Sequence, residues 1–295
     1  MVKLTVLGSG SRGNSLVVDN GQTVVLVDAG YGCRALARRL NSAGYAPESI
    51  AALLLTHEHV DHAQGAMSSA RRWNWPIFAS AGTRAAVERM DADRLRRRDA
   101  DFGDDDGGRP PALPVRFEHL NGVVQKIDTL QVMSHRVSHD ASEPVGITVE
   151  DSRSGARIGI AVDLGHVPQE LSDAFGLLDL LLVESNHDID MLHNGPYPAA
   201  LKRRIISRRG HLSNEAAGNF AAACAHRGLR NVVLAHLSET NNRPEQALRT
   251  VGNTLARAGW KGDIVAASQR SVTGPLAVHP SGFRSTAPVQ LLLAL

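Results

Sequence analysis

The chain has 295 residues, 43% of them hydrophobic, and carries 32 Lys and Arg against 30 Asp and Glu. That length supports one large domain or two small ones around a substantial core, and a net charge of +2 makes no demand for a polyanionic partner. The two cysteines, Cys33 and Cys224, lack C-x-x-C or paired spacing, which excludes a disulfide framework and a thiolate zinc site and accords with a cytoplasmic protein; neither a secretory leader nor an apolar run of the ~20 residues that span a bilayer is expected.

Short β-branched runs predict strands over residues 4–7, 16–18 and 24–27. Between the first two lies Gly8-Ser9-Gly10-Ser11-Arg12-Gly13, the glycine spacing of a dinucleotide-binding loop. That reading requires a helix directly after the glycines. The sequence instead writes a hairpin, with apolar runs on either side of Asp19-Asn20-Gly21-Gln22. A helix is expected over 34–41, a buried strand over 51–55 and a second helix from about His62. From Arg94 to about Pro114 opposite charges fall in blocks before a Gly/Pro exit, the pattern of a solvated, mobile insertion (residues 94–114). Strands resume over 123–127, 130–135, 145–150, 157–162 and 178–183. Helices follow over 199–207 and 215–226, then a strand over 232–235 and a helix over 245–258. Two similar runs of strands and helices suggest two mixed sheets packed face to face with helices outside, a four-layer α/β/β/α sandwich of the α/β class; a plain three-layer α/β fold fits the periodicity as well. One domain is expected over 1–271, and a loosely ordered tail, rich in Ser, Pro and Gly, over 272–295.

The chemistry concentrates in T-H-E-H-V-D-H, residues 56–62, directly after an apolar strand. In an extended loop residues two apart point the same way. His57 and His59 can therefore converge on one ion, while Asp61 and His62, at the start of the following helix, face a second. Imidazole and carboxylate without thiolate suit Zn²⁺ or another borderline first-row ion and leave positions open for water. Crowded together without an ion, these groups would repel or lose hydration; a divalent cation stabilises them all. Further ligands must come from distant strand ends, and His139, Asp163 and His236 each stand where a predicted strand gives out to a loop. His135, in step with His139, competes for its role.

H-E-H-V-D-H followed by separated His, Asp and His resembles the metallo-β-lactamase-fold hydrolases, whose shared motif is H-x-H-x-D-H, over the chain as far as about Ser271. The resemblance implies the α/β/β/α sandwich and a metal-dependent hydrolase. It assigns His57, His59 and His139 to one metal, Asp61, His62 and His236 to the other, and Asp163 to both. Two divalent ions, Zn²⁺ or Mn²⁺, would lie roughly 3.5–4 Å apart and share a hydroxide as nucleophile. Asp28, in L-V-D-A-G, looks like the family's early supporting Asp. V-E-S-N-H-D, ending at Asp188, and R-G-H-L-S-N-E-A, from Arg209, resemble the ribonuclease Z side of the superfamily. By that resemblance His211 donates a proton to the leaving alkoxide and Glu184 orients it, with Asp61 the third catalytic residue; a place beside the helix cap Ser213 accounts for His211 otherwise.

More narrowly, G-S-G-S-R-G-N-S, H-D-A-S-E-P-V-G, G-P-Y-P-A-A-L-K-R-R-I and G-H-L-S-N together resemble the YycJ/WalJ-type bacterial 5′-to-3′ DNA exonuclease family. This implies a phosphodiester hydrolase acting on nucleic acid, DNA before RNA, with no membrane role and the oligomeric state open. The glycine loop would then bring Ser9, Ser11, Asn14 and Ser15 to a substrate phosphate; a tight turn between two strands explains the glycines equally. Lys202, Arg203, Arg204, Arg208 and Arg209 offer either a phosphate grip or a partly solvated helix face. His187 and His193 read as local loop or substrate-wall residues. The competing functions are a cyclic phosphodiesterase, lactonase or thioesterase on the same fold, an RNA-processing nuclease, or a non-catalytic metal-binding module. No separate substrate-recruiting domain is recognisable, and the acidic stretch at 104–106 is an awkward neighbour for DNA.

Overall fold

In the run Leu180-Leu181-Leu182-Val183 every residue is buried, and its two sides serve different cores. Leu180 and Leu182 join Val233 and Ala235 in a core with Leu4, Val6, Val25 and Leu54. Leu181 and Val183 join Val232 and Leu234 in a second core with Phe175, Phe220 and Val251. Side chains alternate along a strand, so one that is apolar on both faces must be covered on both. The same alternation holds in the N-terminal half. There Val17, Leu26 and Leu53 turn away from the central core to meet Leu36, Leu40 and Ala70.

The computed structural model describes residues 1–102 and 113–280. In chain order the elements are β1 (Val2–Gly8), β2 (Ser15–Asp19), β3 (Val24–Val27), α1 (Cys33–Ser42), β4 (Ile50–Leu54), α2 (Val60–Ala63), α3 (Ala66–Trp73), β5 (Ile77–Ala79), α4 (Ala81–Phe102), β6 (Phe117–His119), β7 (Gln125–Ile127) and β8 (Leu130–Arg136). They continue with β9 (Val145–Asp151), β10 (Arg157–Ala161), α5 (Gln169–Ala174), β11 (Leu180–Glu184), α6 (Ile189–Asn194), α7 (Ala199–Ile205), α8 (Asn214–Ala223), β12 (Asn231–Ala235), α9 (Pro244–Arg257), β13 (Asp263–Ala266) and β14 (Thr273–Val278). Two seven-stranded sheets result, ordered β14-β1-β2-β3-β4-β5-β6 and β13-β12-β11-β10-β9-β8-β7. The core between the sheets and the two cores under the helices make the four-layer α/β/β/α arrangement. Among the described residues no helix is long and apolar enough to cross a membrane.

At one end the sheets are tied by polar groups. Asn20, in the β2–β3 turn, donates from Nδ2 to Asp151 Oδ1 and to Thr129 Oγ1, both at 2.8 Å. Asp151 is buried and also accepts from the Ser154 hydroxyl at 2.6 Å.

Two segments depart from the sequence reading. Residues 94–102, expected at the start of a mobile insertion, continue α4, which runs to Phe102. Good helix formers fill this stretch, and Arg96 pairs with Asp93 three residues earlier, so the charges support a helix; the rest of the acidic stretch, 103–112, lies outside the described residues. The segment from 272 is not all loose: β14 pairs antiparallel with β1, with Val2 opposite Val278. Pro275 hides this strand from a propensity reading, yet an edge strand tolerates proline, and pairing covers the otherwise open side of β1. Residues 281–295 lie outside the described residues.

Candidate metal centre

Strands β3 and β4 run parallel in one sheet, and β10, β11 and β12 run parallel in the other. Their C-terminal ends deliver Asp28, residues 56–62, Asp163, Glu184 and His236 to one rim of the sandwich, joined by His139 from the loop after β8. Asp28, Asp163 and His236 have φ of 59°, 54° and 53°. This left-handed backbone is unfavourable for residues other than glycine, and such strain collects at functional sites.

The rim holds two clusters that share one residue. Ligand atoms of His57, His59, His139 and Asp163 lie within 4.8 Å of one another, as do those of Asp61, His62, Asp163 and His236. In the first, His57 Nε2 is 3.2 Å from Asp163 Oδ2 and His139 Nε2 is 3.2 Å from His59 Nδ1. In the second, His62 Nε2 is 2.9 Å from the same Asp163 oxygen, and His236 Nε2 is 3.3 Å from Asp61 Oδ2. All seven residues that the sequence singles out as ligands thus converge, and His135 does not. Its Nε2 lies 3.1 Å from Thr148 Oγ1 and its ring packs on Phe175.

Partners behind the imidazoles fix which nitrogen faces inward. His62 Nδ1 donates to Asp28 Oδ2 at 2.7 Å, and His139 Nδ1 donates to Gly210 O at 3.0 Å. Thr56 Oγ1 donates to Asp28, so it accepts from His57 Nδ1 at 3.1 Å. For these three, Nε2 is left for the cleft. His236 Nδ1 lies 2.6 Å from Asp163 Oδ1 and 3.1 Å from Glu184 Oε1, while its Nε2 faces Asp61.

The residues fit divalent cations. Burial opposes charge on His62, yet Asp163 and Asp28 push it up to about 10; His236, equally buried, is raised by Asp163. Without a cation, these protons offset the carboxylates. His57, in contrast, is pulled down to about 4 by burial beside His62, and its buried Nε2, though 3.2 Å from Asp163 Oδ2, makes no well-aligned hydrogen bond among the described residues. A divalent ion supplies the positive charge and occupies that orphaned nitrogen.

A third group adjoins both clusters. Glu184 is fully buried, and its Oε1 lies 2.6 Å from His211 Nδ1 while Oε2 accepts from Leu164 N at 2.8 Å and Leu212 N at 3.3 Å. Against the effect of burial, the charge and hydrogen bond of His211 and the hydrogen bond of His236 hold the Glu184 carboxyl down at about 2. Burial likewise disfavours charge on His211, but Glu184 and Asp163 push it up to about 9. The two carboxylates thus favour the imidazolium form of His211, and among the described residues no hydrogen bond engages its Nε2.

The glycine loop differs from the reading as a phosphate cradle. Ser9 Oγ donates to Asn14 Oδ1 at 3.1 Å and accepts from His236 N at 2.8 Å, and Ser15 Oγ donates to Asp28 O at 2.8 Å. Asn14 Nδ2 lies 2.9 Å from His62 Nε2, and its Oδ1 accepts from Gly10 N at 2.8 Å. The amides of Ser9, Arg12, Gly13 and Asn14 donate to Ser268 O, Gln269 Oε1, Gly10 O and Asp61 O. Ser9, Asn14 and Ser15 are buried, and of the four proposed phosphate contacts only Ser11 is exposed. The glycines serve close packing instead: a Cβ on Gly8 would stand 2.1 Å from Tyr31 Oη, and one on Gly13 would stand 2.8 Å from Gly30 O. Sequence reasoning missed Asn14 and Thr56 as residues that position ligands. Thr56, one place before His57, was open to inference from its neighbour, whereas Asn14 acts across 48 positions.

A family profile described as a β-lactamase superfamily domain matches residues 23–237. The chain is 32% identical over 256 residues to exodeoxyribonuclease YycJ of Bacillus anthracis, covering 87% of this chain and 90% of that protein. It is 31% identical over 257 residues to exodeoxyribonuclease WalJ of Streptococcus pneumoniae, with 87% and 89% covered. The crystal structure of the metallo-β-lactamase fold protein YhfI from Bacillus subtilis superimposes with a TM-score of 0.63 at 14% identity, over 92% of this chain and 98% of that one. The two-sheet sandwich and its imidazole and carboxylate rim define a metal-dependent hydrolase. The chain belongs to the β-lactamase superfamily and has the metallo-β-lactamase fold.

Proposed function

We propose that this protein is a dinuclear metal-dependent phosphodiesterase that shortens DNA from the 5′ end in the cytoplasm. Two observations support the substrate: relatives covered nearly end to end are named exodeoxyribonucleases, and His211, its Nδ1 2.6 Å from Glu184 Oε1, stands beside both clusters. The second carries the reading, because cleaving a phosphodiester requires a proton for a poor leaving alkoxide.

His57, His59 and His139 would hold one ion, Asp61, His62 and His236 the other, and Asp163 both. When bound, Zn²⁺ or Mn²⁺ would supply a water of near-neutral pKa and neutralise charge growing on the phosphoryl oxygens. His211 gives its Nε2 proton to the departing oxygen. Glu184, with both oxygens already engaged, keeps the ring turned toward the cleft and stabilises its charge before transfer. Asp61 sits at the open side of the second cluster with its side chain 23% exposed, where substrate and water reach it.

The deciding experiment supplies purified protein with Zn²⁺ and Mn²⁺ separately and compares bis-p-nitrophenyl phosphate with 5′-labelled DNA and RNA. Chelator-sensitive release of nucleotides from the 5′ end of DNA is the expected result. A metal-loaded protein that cleaves a small diester and leaves every nucleic acid intact would refute the nuclease reading.

A further inference from the structure

The basic run before His211 divides into residues with different duties. Lys202 Nζ donates to His193 O at 2.7 Å. Arg203 is exposed and has no side-chain partner among the described residues. Arg204 and Arg209 are anchored on the loop that carries His139: Arg204 Nε donates to Asp140 Oδ2 at 2.7 Å, and Arg209 Nε to His139 O at 3.3 Å. Among the described residues both arginines bond through Nε alone, which leaves the terminal nitrogens of two guanidinium groups at the surface; the Arg204 side chain is 63% exposed. The other oxygen of Asp140, Oδ1, lies 3.2 Å from His139 Nε2. One carboxylate therefore separates the Arg204 guanidinium from the first ligand cluster.

The support beneath them is stiff. Ser138 Oγ donates to Arg208 O at 2.8 Å, and Gly210 O receives the His139 Nδ1 hydrogen bond at 3.0 Å. A Cβ on Gly165 would stand 2.2 Å from the Arg208 carbonyl carbon, and one on Gly210 would stand 2.1 Å from Ile205 O. The turn carrying the arginines is thus pressed backbone to backbone against the loop that carries Asp163. Groups held on such a base act from fixed positions.

Resting on the nuclease reading above, we infer that Arg204 and Arg209 form a seat for the terminal 5′-phosphomonoester of the strand being shortened. A phosphomonoester carries about −1.5 to −2 at pH 7 and three terminal oxygens, against the single charge and two free oxygens of an internal diester, so it gains more from two guanidinium forks even with Asp140 offsetting part of their charge. Guanidinium is also the side chain whose planar donors fit phosphate oxygens in pairs. Asp140 is a positioning residue. It takes up Nε and turns the remaining nitrogens of Arg204 outward.

The test uses the full chain and two oligodeoxynucleotides of one sequence, 5′-phosphorylated and 5′-hydroxyl. Binding is read by fluorescence anisotropy in EDTA, so that no bound ion or turnover contributes, and cleavage is followed separately with metal supplied. The phosphorylated strand should bind about tenfold more tightly, as expected for a few charge-assisted hydrogen bonds. Arg204→Ala with Arg209→Ala should remove most of that advantage, and Arg203→Ala should keep it. The double lysine variant, which retains charge but loses the fork, should fall between. In cleavage the loss should appear in KM rather than kcat. Equal affinity for the two ends in the unaltered protein, or an advantage that survives the double alanine change, overturns the seat even where DNA is cleaved. A 5′-phosphate preference in a protein that cleaves no DNA supports the seat and overturns the exonuclease reading instead.

Discussion

Asp28 holds His62 from behind, with its Oδ2 2.7 Å from His62 Nδ1. The bond leaves His62 Nε2 facing Asp163. Outer partners of this kind typically control metal affinity or activity by about 10–100-fold. Asp28→Ala should weaken binding of the ion at the second cluster by that factor while the first cluster retains its ion. Competition titrations with a chromophoric chelator measure both.

Asp163 is the residue common to the two clusters. Asp163→Asn should lower metal content below two ions per chain, read by elemental analysis after dialysis, and abolish hydrolysis. Loading of the unaltered protein should weaken as pH falls, because protons and cations compete for the same imidazole nitrogens.

His211→Ala should leave metal content unchanged and slow DNA cleavage by about 10²–10⁴-fold, the usual contribution of a positioned general acid. Bis-p-nitrophenyl phosphate, whose leaving group departs without a proton, should suffer far less. Equal losses on the two substrates would exclude His211 as the proton donor.

Asn14 and Ser11 make a matched pair for the glycine loop. Asn14→Ala removes the link from Gly10 to His62 and Asp61 and should reduce both metal affinity and thermal stability, by about 1–3 kcal/mol for the buried groups left unpaired. Ser11→Ala, on an exposed side chain, should do neither in thermal melts and chelator titrations.

The tie between the sheets gives a prediction in pH. Burial works against the Asp151 carboxylate, but hydrogen bonds from Ser154 and Asn20 and the nearby Arg153 hold it below the ordinary Asp range. A carboxyl lowered in the folded state stabilises above its unfolded value, about 3.9, and that contribution disappears as pH falls through the folded value. Urea unfolding of Asp151→Asn should therefore show a deficit at pH 7 that narrows below about pH 4.

The cleft was legible because its ligands occupy two kinds of conspicuous place. Four sit within six positions, His57 to His62, and three stand just past apolar strands, His139, Asp163 and His236. Both are local signals. The glycine loop misled because spacing and backbone freedom suit an anion nest, while the amides are consumed by groups far away in the chain: Asp61, Ser268 and Gln269. No local pattern announces such partners. β5 and β6, three residues each, are held by pairing with neighbours rather than by their own propensity, and β14 reads as tail until β1 is known to need covering. Charge blocks disguised the end of α4, because sign alternation every three or four residues is visible only once a helix is assumed.

The left-handed backbones of Asp28, Asp163 and His236 have a consequence for the lineage of this protein. Each costs on the order of 1–3 kcal/mol that glycine would not incur. A descendant that mutated these positions to glycine would lose its cations and its chemistry yet gain a more comfortable chain. The buried partners left behind, Thr56, His62 and Glu184, would weigh against that relief, so the rim is held by its side chains against the preference of its own backbone.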